Sequence, residues 1–417
     1  MKNNVRFDLS NYLIHFYRDV DLLSDDAIAF PEHMGFDNIC YETNLDALFL
    51  LRCSIRKGRI WASWSYRNGK PTIYGYNPAV CFTDMPVAAF FQTSFERKAR
   101  GEKISQHALC IPKPQGFAYG ARPVIYALTD SNVTVTTSHC RQIRVIDTNK
   151  LPLSEQYRYV AYDPCRPIPL DWSHEREWRW SYKGDLSQYF SELEDGVLED
   201  ERFIPALNLN VNSFNGLGVI VENSKEAKMI LHDIIRLVDQ KIIPLGFYEF
   251  ILVSEALSDI SKIINPTGLN SEIAKAQIDL SPYFVSRQKD ADYLNNQIGK
   301  IANTVRENAK GTPSEVFEYG TAWVWVLDNT SNLARLLIQT DRMIVSQEGR
   351  YLIKLPEFEV DCSLSDKEKM CEEVAQLLSA EYGVECVYYS VTSSSNENSV
   401  PFYAGDHDGN LFYNRSY

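Results

Sequence analysis

Nothing in this 417-residue sequence places two cysteines at Cys-x-x-Cys spacing, although nine cysteines are present. Cys40, Cys53, Cys81, Cys110, Cys140, Cys165, Cys362, Cys371 and Cys386 are odd in number and widely scattered. Zinc sites show close pairs and disulfide scaffolds are short secreted chains, so the expectation is reduced thiols, mostly in the core. The seven histidines form no His-x-x-x-His pair, and no metal site is expected. No apolar run approaches the ~18–20 residues of a membrane span. The opening MKNNVRFDLSNYLIHFYR lacks a basic start leading into a long apolar stretch and a small-residue cleavage site. No export signal is therefore read, and a cytoplasmic protein without a membrane partner is expected. There is also no Walker loop, Gly-x-Gly-x-x-Gly fingerprint, heptad series or internal repeat.

The composition that remains is that of a chain with a real core, 45% hydrophobic and 23% charged. The net charge of −13 is unevenly spread. Residues 1–180 hold 22 Lys and Arg against 19 Asp and Glu, whereas the remainder holds 20 against 36. Residues 51–150 alone carry 15 basic and 5 acidic groups. Two meanings stand for this segment: a face toward an anionic ligand such as a dinucleotide or nucleic-acid strand, or charges scattered over a solvated surface.

Patterning predicts an α+β order with many short strands. NYLIHFYR (11–18) is a β-rich run. Residues 44–60 read as a helix, with Asn44 as a possible cap, Leu45, Leu48 and Leu51 at helical spacing, and Gly58 as the stop. Turns are expected at Asn68-Gly69 and Asn77-Pro78. AVCFTDMP (79–86) is a strand closed by Pro86, and VAAFFQTSFERKARG a helix. HALCIPK (107–113) and PVIYALTD (123–130) are further strands. Residues 131–172 hold several prolines and read as an irregular excursion, of the kind that serves as a substrate loop or lid. GLGVIVEN (216–223) and YEFILVSEAL (248–257) are strands flanking a helix at 224–241. The expected organisation is a first domain over 1–262, a linker over 263–290 and a smaller α/β domain over 291–417. In the last, helices are expected near 291–310, 331–340 and 364–382. Trp323 and Trp325 read as sheet core, and TSSSNENS (392–399) as a mobile loop.

The local signal with the most chemistry is HEREWRWSY (174–182), whose period-two alternation is a strand pattern. Residues two apart in a strand point the same way, so Glu175, Glu177 and Arg179 share one face while Arg176, Trp178 and Trp180 share the other. Two acids and an arginine on one face fit a cleft. They also fit a solvent-facing edge strand laced with ion pairs.

Three landmarks stand in a fixed order: His15-Phe16 on the opening strand, with a later helix ending at Lys57-Gly58; Cys81-Phe82-Thr83-Asp84-Met85-Pro86; and Glu175-Arg176-Glu177-Trp178-Arg179. Pro123-Val124-Ile125-Tyr126 lies between the last two. Over residues 11–255 this series resembles AbiGi-like phage-resistance (abortive infection) proteins, which are similar to the DarT-like ADP-ribosyltransferase toxins. The resemblance implies an ADP-ribosyltransferase-like split β-sheet with flanking helices, and an enzyme that moves ADP-ribose from NAD⁺ to a macromolecule without a metal. It implies Glu177 as the carboxylate that binds the ribose and stabilises the oxocarbenium-like transition state, with Glu175 as a base on the incoming nucleophile. His15 would hydrogen-bond the adenosine-side ribose, unless it is a satisfied core histidine. Arg18 would meet a phosphate, or is a plain surface arginine. Phe82 lies in the second landmark. Thr83 would brace the ribose or the glutamate, or merely pair in the sheet. Tyr74 and Tyr76 offer ring faces to the nicotinamide, or pack ordinarily. Ser63 and Ser65 are rival candidates for the second motif element, which is not a clean Ser-Thr-Ser here.

Nucleic-acid acceptors are known among the phage-defence relatives. RNA or single-stranded DNA is the expected acceptor, with the basic 51–150 segment holding phosphates and the Trp61–Tyr66 run stacking bases. Protein as acceptor and a non-catalytic antitoxin or chaperone role on the same fold are the alternatives. The C-terminal part is similar to a module often attached to AbiGi-like proteins.

Overall fold

A computed structural model describes residues 10–21, 44–67, 70–101, 105–128, 133–138, 141–167, 169–194, 201–257, 266–309, 318–358 and 362–403. The expected turn at Asn68-Gly69 lies outside the described residues. The chain divides into two compact units, one within residues 1–227 and 246–278, the other within 228–245 and 279–414. Both mix helix and strand. Among the described residues no helix is long and apolar enough to cross a membrane.

The first unit is built on an eight-stranded sheet. Its strands are β1 (Tyr12–Phe16), β2 (Ala79–Thr83), β3 (Ala108–Pro112), β4 (Arg122–Pro123), β5 (Glu177–Ser181), β6 (Leu217–Val221), β7 (Tyr248–Val253) and β8 (Gln277–Ile278), in the spatial order β8-β7-β6-β3-β1-β2-β5-β4. Only β6 and β7 run parallel; the other neighbours are antiparallel. β1 pairs with β3 through five residues, from Tyr12↔Pro112 to Phe16↔Ala108. β2 pairs with β5 through five, from Glu177↔Thr83 to Ser181↔Ala79. Between β1 and β2, by contrast, the register holds one pair, Ile14↔Thr83. The sheet is continuous in order but almost parted at its middle. One face is closed by the helices Val87–Ala99 and Pro266–Ala276, whose Phe90, Phe91 and Ala276 pack with Ile14, Ile220 and Leu252. Truncating Phe90, 2% exposed, removes a ring from this contact, a change that typically costs ~3–5 kcal/mol.

The helix of residues 44–60 is shorter than expected, Ala47–Lys57. Its cap is Asp46, whose carboxylate accepts the Phe49 N–H at 2.6 Å, because Asn44 is drawn into a two-residue strand with Asp21. Gly58 ends it in the left-handed conformation at φ 62°, as a C-terminal glycine does. Residues 263–290, read as a linker, instead contain the helix Pro266–Ala276 and the strand β8, which extends the sheet beside β7.

Residues 131–172 are not irregular. Val133–Ser138 and Arg141–Ile146 form a hairpin, and Tyr159–Tyr162 pairs parallel with Ile125–Leu128. The buried Gln156 side chain joins these pieces. Its carbonyl oxygen accepts the Ile146 N–H at 3.0 Å, and its amide donates to the Ile146 and Leu151 carbonyls at 2.7 and 3.1 Å. The strands are only four to six residues long and pair two at a time, so no long alternation marks them.

The second unit carries β9 (Gly320–Val326), β10 (Met343–Val345), β11 (Tyr351–Ile353), β12 (Cys386–Thr392) and β13 (Pro401–Tyr403), in the order β10-β11-β9-β12-β13. Every pairing is antiparallel, so this unit is α+β and not the α/β domain expected. Val324, Val326 and Ile353 pack with residues of the helices Gln288–Ala309 and Leu364–Tyr382. Trp323 and Trp325, 5% and 3% exposed, belong to the core cluster formed with Leu352 and Tyr389. The polar 392–399 segment, read as a mobile loop, carries hydrogen bonds of its own: Ser394 and Ser399 hydroxyls meet at 2.7 Å, and Asn398 Oδ1 accepts the Gln347 N–H at 2.6 Å.

Candidate functional site

The first unit holds a cleft of about 530 Å³ where β1 and β2 part. Its walls come from the end of β1 (His15 to Arg18), from β2, from Ser63 and Tyr74 in the connection between them, and from Glu175, Glu177 and Arg179. The volume is that of a small-molecule site. Of the residues singled out in the sequence, His15, Arg18, Ser63, Tyr74, Phe82, Thr83, Glu175 and Glu177 all line it. Tyr76 does not; it is 44% exposed, outside the lining.

His15 occupies the parting itself. Its Nδ1 lies 2.8 Å from the Cys81 carbonyl oxygen. A carbonyl only accepts, so Nδ1 carries the proton and Nε2 is left as an acceptor. Tyr17 stands edge-on to the ring at 4.8 Å and Phe82 at 5.8 Å. Burial there pushes the imidazole down to about 4, against the opposing pull of the Cys81 carbonyl, so the ring is neutral at pH 7. The Cys81 thiol, also on this floor, is pushed up to about 12, first by burial and then by the Glu177 carboxylate. It is therefore no nucleophile at neutral pH.

The two glutamates reach the cleft differently from the expected continuous strand. β5 begins only at Glu177; Glu175 ends a 3-10 turn, Ser173–Glu175. Between them Arg176 takes the left-handed conformation, φ 47° and ψ 46°, uncommon for a residue with a side chain. Thr83 holds this corner. Its hydroxyl donates to the Glu175 carbonyl at 2.6 Å and accepts the Met85 N–H at 3.1 Å. Thr83 thus braces the backbone that presents a glutamate, and that hydroxyl proton is spent within the protein.

Both carboxylates are gripped by arginines. Glu177 faces Arg179 two-fold, Nε to Oε1 at 2.7 Å and Nη2 to Oε2 at 3.2 Å. Arg179 is buried, and its Nη1 donates to the Tyr157 and Tyr159 carbonyls at 2.7 and 3.2 Å. A forked contact uses one lone pair of each Glu177 oxygen and leaves others for a hydroxyl. Glu175 Oε1 accepts from Arg97 Nη1 at 3.0 Å, while no donor meets its Oε2 among the described residues. Arg97, on the helix Val87–Ala99, and Arg144, on the hairpin, also line the cleft. Neither was legible in the sequence: Arg97 sits in an ordinary charged helix run, and Arg144 in the segment read as irregular.

Ser63 forms a bridge to Ala79, and its hydroxyl accepts the Ser65 N–H at 3.1 Å. Ser65, at φ 49°, gives its carbonyl to the Thr72 hydroxyl at 2.7 Å. Tyr74 is 3% exposed, edge-on to Tyr159 at 4.9 Å, and burial raises its phenol. Its face is covered by Arg144, 4.2 Å from the ring centroid, and so is not bare for a nicotinamide. The Trp61–Tyr66 run does not form the expected stacking platform. Trp64 is 1% exposed and packs on Phe190, and Trp61 is 9% exposed. Rings are more accessible on the other side of β5, where Phe117, 50% exposed, stands against Trp178 with Arg122 over its face at 4.1 Å.

Four arginines and two glutamates line one cleft, with aromatic rings from Phe16, Trp61 and Trp172. Such a cleft can hold an anion through its arginines and offers carboxylate oxygens as acceptors for hydroxyl groups. Among the described residues no group of three His, Cys, Asp or Glu is arranged to hold a metal ion. The seven described cysteines are free thiols. No curated protein and no solved structure matches the chain. Residues 287–415 match a family model described as "Protein of unknown function (DUF4427)", which covers less than a third of the chain.

Proposed function

We propose that the first unit is an ADP-ribosyltransferase of a bacterial anti-phage system, cutting the nicotinamide–ribose bond of NAD⁺ and passing ADP-ribose to a macromolecule, RNA or single-stranded DNA. The observation that carries this reading is convergence. His15, Thr83, Glu175 and Glu177 stand far apart in sequence yet line one cleft at the parting of β1 and β2. The residues suit the substrate. Neutral His15 offers Nε2 as an acceptor for a ribose hydroxyl, and the arginines suit a diphosphate. Glu177, held in one orientation by Arg179, is fit to accept a ribose 2′-hydroxyl and to stabilise positive charge as the glycosidic bond breaks. Glu175 is fit to take the acceptor's proton through Oε2. The cationic lining favours an acceptor carrying phosphates.

A second reading has one observation in its favour. Both carboxylates are already paired with arginines, which suits a binding site without turnover, as in an antitoxin or chaperone partner. The two readings separate with labelled NAD⁺ and a bacterial lysate fractionated into RNA, DNA and protein. The transferase labels one fraction, loses that with Glu177→Gln, and slows growth when expressed alone. Folded wild type that neither labels any fraction nor consumes NAD⁺, with phage infection supplied as trigger, overturns the enzyme.

A further inference from the structure

We infer that Arg144 forms a phosphate-binding subsite inside the cleft, an assignment that deepens the proposed reading and rests on it for the identity of the phosphate. Arg144 lies on the second strand of the hairpin, opposite Val135. Its backbone carbonyl accepts the Gly75 N–H at 2.8 Å. Its Nη1 donates to the Pro71 carbonyl at 3.1 Å, its Nη2 donates to the Tyr74 hydroxyl, and its guanidinium covers the Tyr74 ring. Tyr74 is itself immobilised in a core cluster with Ile146 and Tyr159. The guanidinium is thus fixed on two sides before any ligand arrives.

What distinguishes Arg144 from Arg97 and Arg179 is its charge balance. Arg179 is matched by Glu177 and Arg97 by Glu175. Arg144 has no carboxylate partner among the described residues, and of its five N–H groups two are used. A half-buried, pre-oriented guanidinium with unspent donors in a cleft is built to meet an anion, and its planar fork matches phosphate oxygens. Tyr74 packs against Tyr159 at 4.9 Å, and the Tyr159 carbonyl accepts from Arg179, the partner of Glu177, at 3.2 Å, so the subsite lies on the Glu177 side of the cleft. Two sources present the same chemistry there: the diphosphate of the dinucleotide and a phosphodiester of the acceptor strand.

Calorimetric titration of the full chain with pyrophosphate, ADP-ribose and a short single-stranded RNA tests the subsite, using wild type, Arg144→Ala and Arg144→Gln. Glutamine keeps a polar side chain without the charge, and circular dichroism of both variants guards against a folding artefact. Loss of one charge-assisted contact predicts about a ten- to hundredfold weaker Kd in both variants. A drop confined to pyrophosphate and ADP-ribose assigns the dinucleotide's diphosphate, and a drop confined to RNA assigns the acceptor. Unchanged affinities for all three probes, or no binding of any by wild type, overturns the subsite. NAD⁺ consumption is measured alongside. Arg144-dependent binding without consumption leaves the subsite standing and removes the transferase; consumption with Arg144-independent binding does the reverse.

Discussion

Removing either partner of the Glu177–Arg179 pair should have unequal consequences, and the inequality follows from where each group sits. The Arg179 side chain is 5% exposed and that of Glu177 21%. Arg179→Ala deletes four hydrogen bonds, strips the Tyr157 and Tyr159 carbonyls of their donor, and leaves a hole in an enclosed place. A large-to-small change at an enclosed site, together with two stranded carbonyls, should cost about 3–5 kcal/mol. Glu177→Ala opens space on the cleft, where water can take up the freed Arg179 N–H groups, and Arg179 keeps both carbonyl partners. That loss should be near 1–2 kcal/mol. The assay is urea unfolding followed by tryptophan fluorescence, since Trp61, Trp64, Trp172, Trp178 and Trp180 all belong to the first unit. The double variant should cost little more than Arg179→Ala alone, because the pair is then already broken. Equal losses for the two single variants, or a larger one for Glu177→Ala, would refute the assignment of Arg179 as the buried anchor.

Three further expectations rest on neighbouring groups. His15 has its folded-state value pushed to about 4, below the ordinary ~6.5 of an unfolded chain, so the unfolded state binds its proton first as pH falls. Its contribution to stability should be level above about pH 6.5 and fall by up to ~1.4 kcal/mol per unit toward pH 4; a urea midpoint that follows the same pH curve in His15→Asn sinks this. Thr83→Val should cost about 1–3 kcal/mol by stranding the Glu175 carbonyl and the Met85 N–H, whereas Thr83→Ser stays near wild type in the same unfolding assay. Arg176→Gly should be tolerated, while Arg176→Val should cost about 1–3 kcal/mol, because a β-branched side chain at φ 47° is strained; near-equal melting of the two variants by circular dichroism would contradict it.

Where the sequence was legible, the reason is a local pattern with a local cause. The apolar, β-rich runs of β1, β2 and β3, the Gly58 helix stop and the helix Leu364–Tyr382 appear where patterning puts them. The glutamate strand was half legible. Period two put Glu175, Glu177 and Arg179 together, but nothing in Glu175-Arg176-Glu177 announces that Arg176 turns left-handed and ends the strand. The hairpin of 133–146 was lost among polar threonines and nearby prolines, and with it Arg144. Arg97 meets Glu175 across 78 residues of sequence, a separation no spacing rule reaches. Tryptophans at 61 and 64 looked like a stacking surface because a run of aromatics does not reveal which rings are buried.

The parting of the sheet explains why a cleft exists here at all. An antiparallel ladder would satisfy the backbone of β1 and β2 and leave no room between them. With Ile14↔Thr83 as the one register pair, the backbone groups beyond it need other partners. The Cys81 carbonyl finds His15 Nδ1, so a side chain supplies the partner that a ladder bond would have given. The same bond fixes the tautomer that leaves Nε2 as an acceptor in the cleft. Shape and chemistry are therefore coupled through one residue. Substituting His15 by an aliphatic residue should strand the Cys81 carbonyl as well as remove the acceptor, whereas His15→Asn, whose amide can donate to that carbonyl, should separate the two effects. A cleft that keeps its ADP-ribose affinity in His15→Asn while His15→Leu loses it would locate the role of this residue in partnering the Cys81 carbonyl; equal loss in both, with both proteins folded, would locate it in the acceptor.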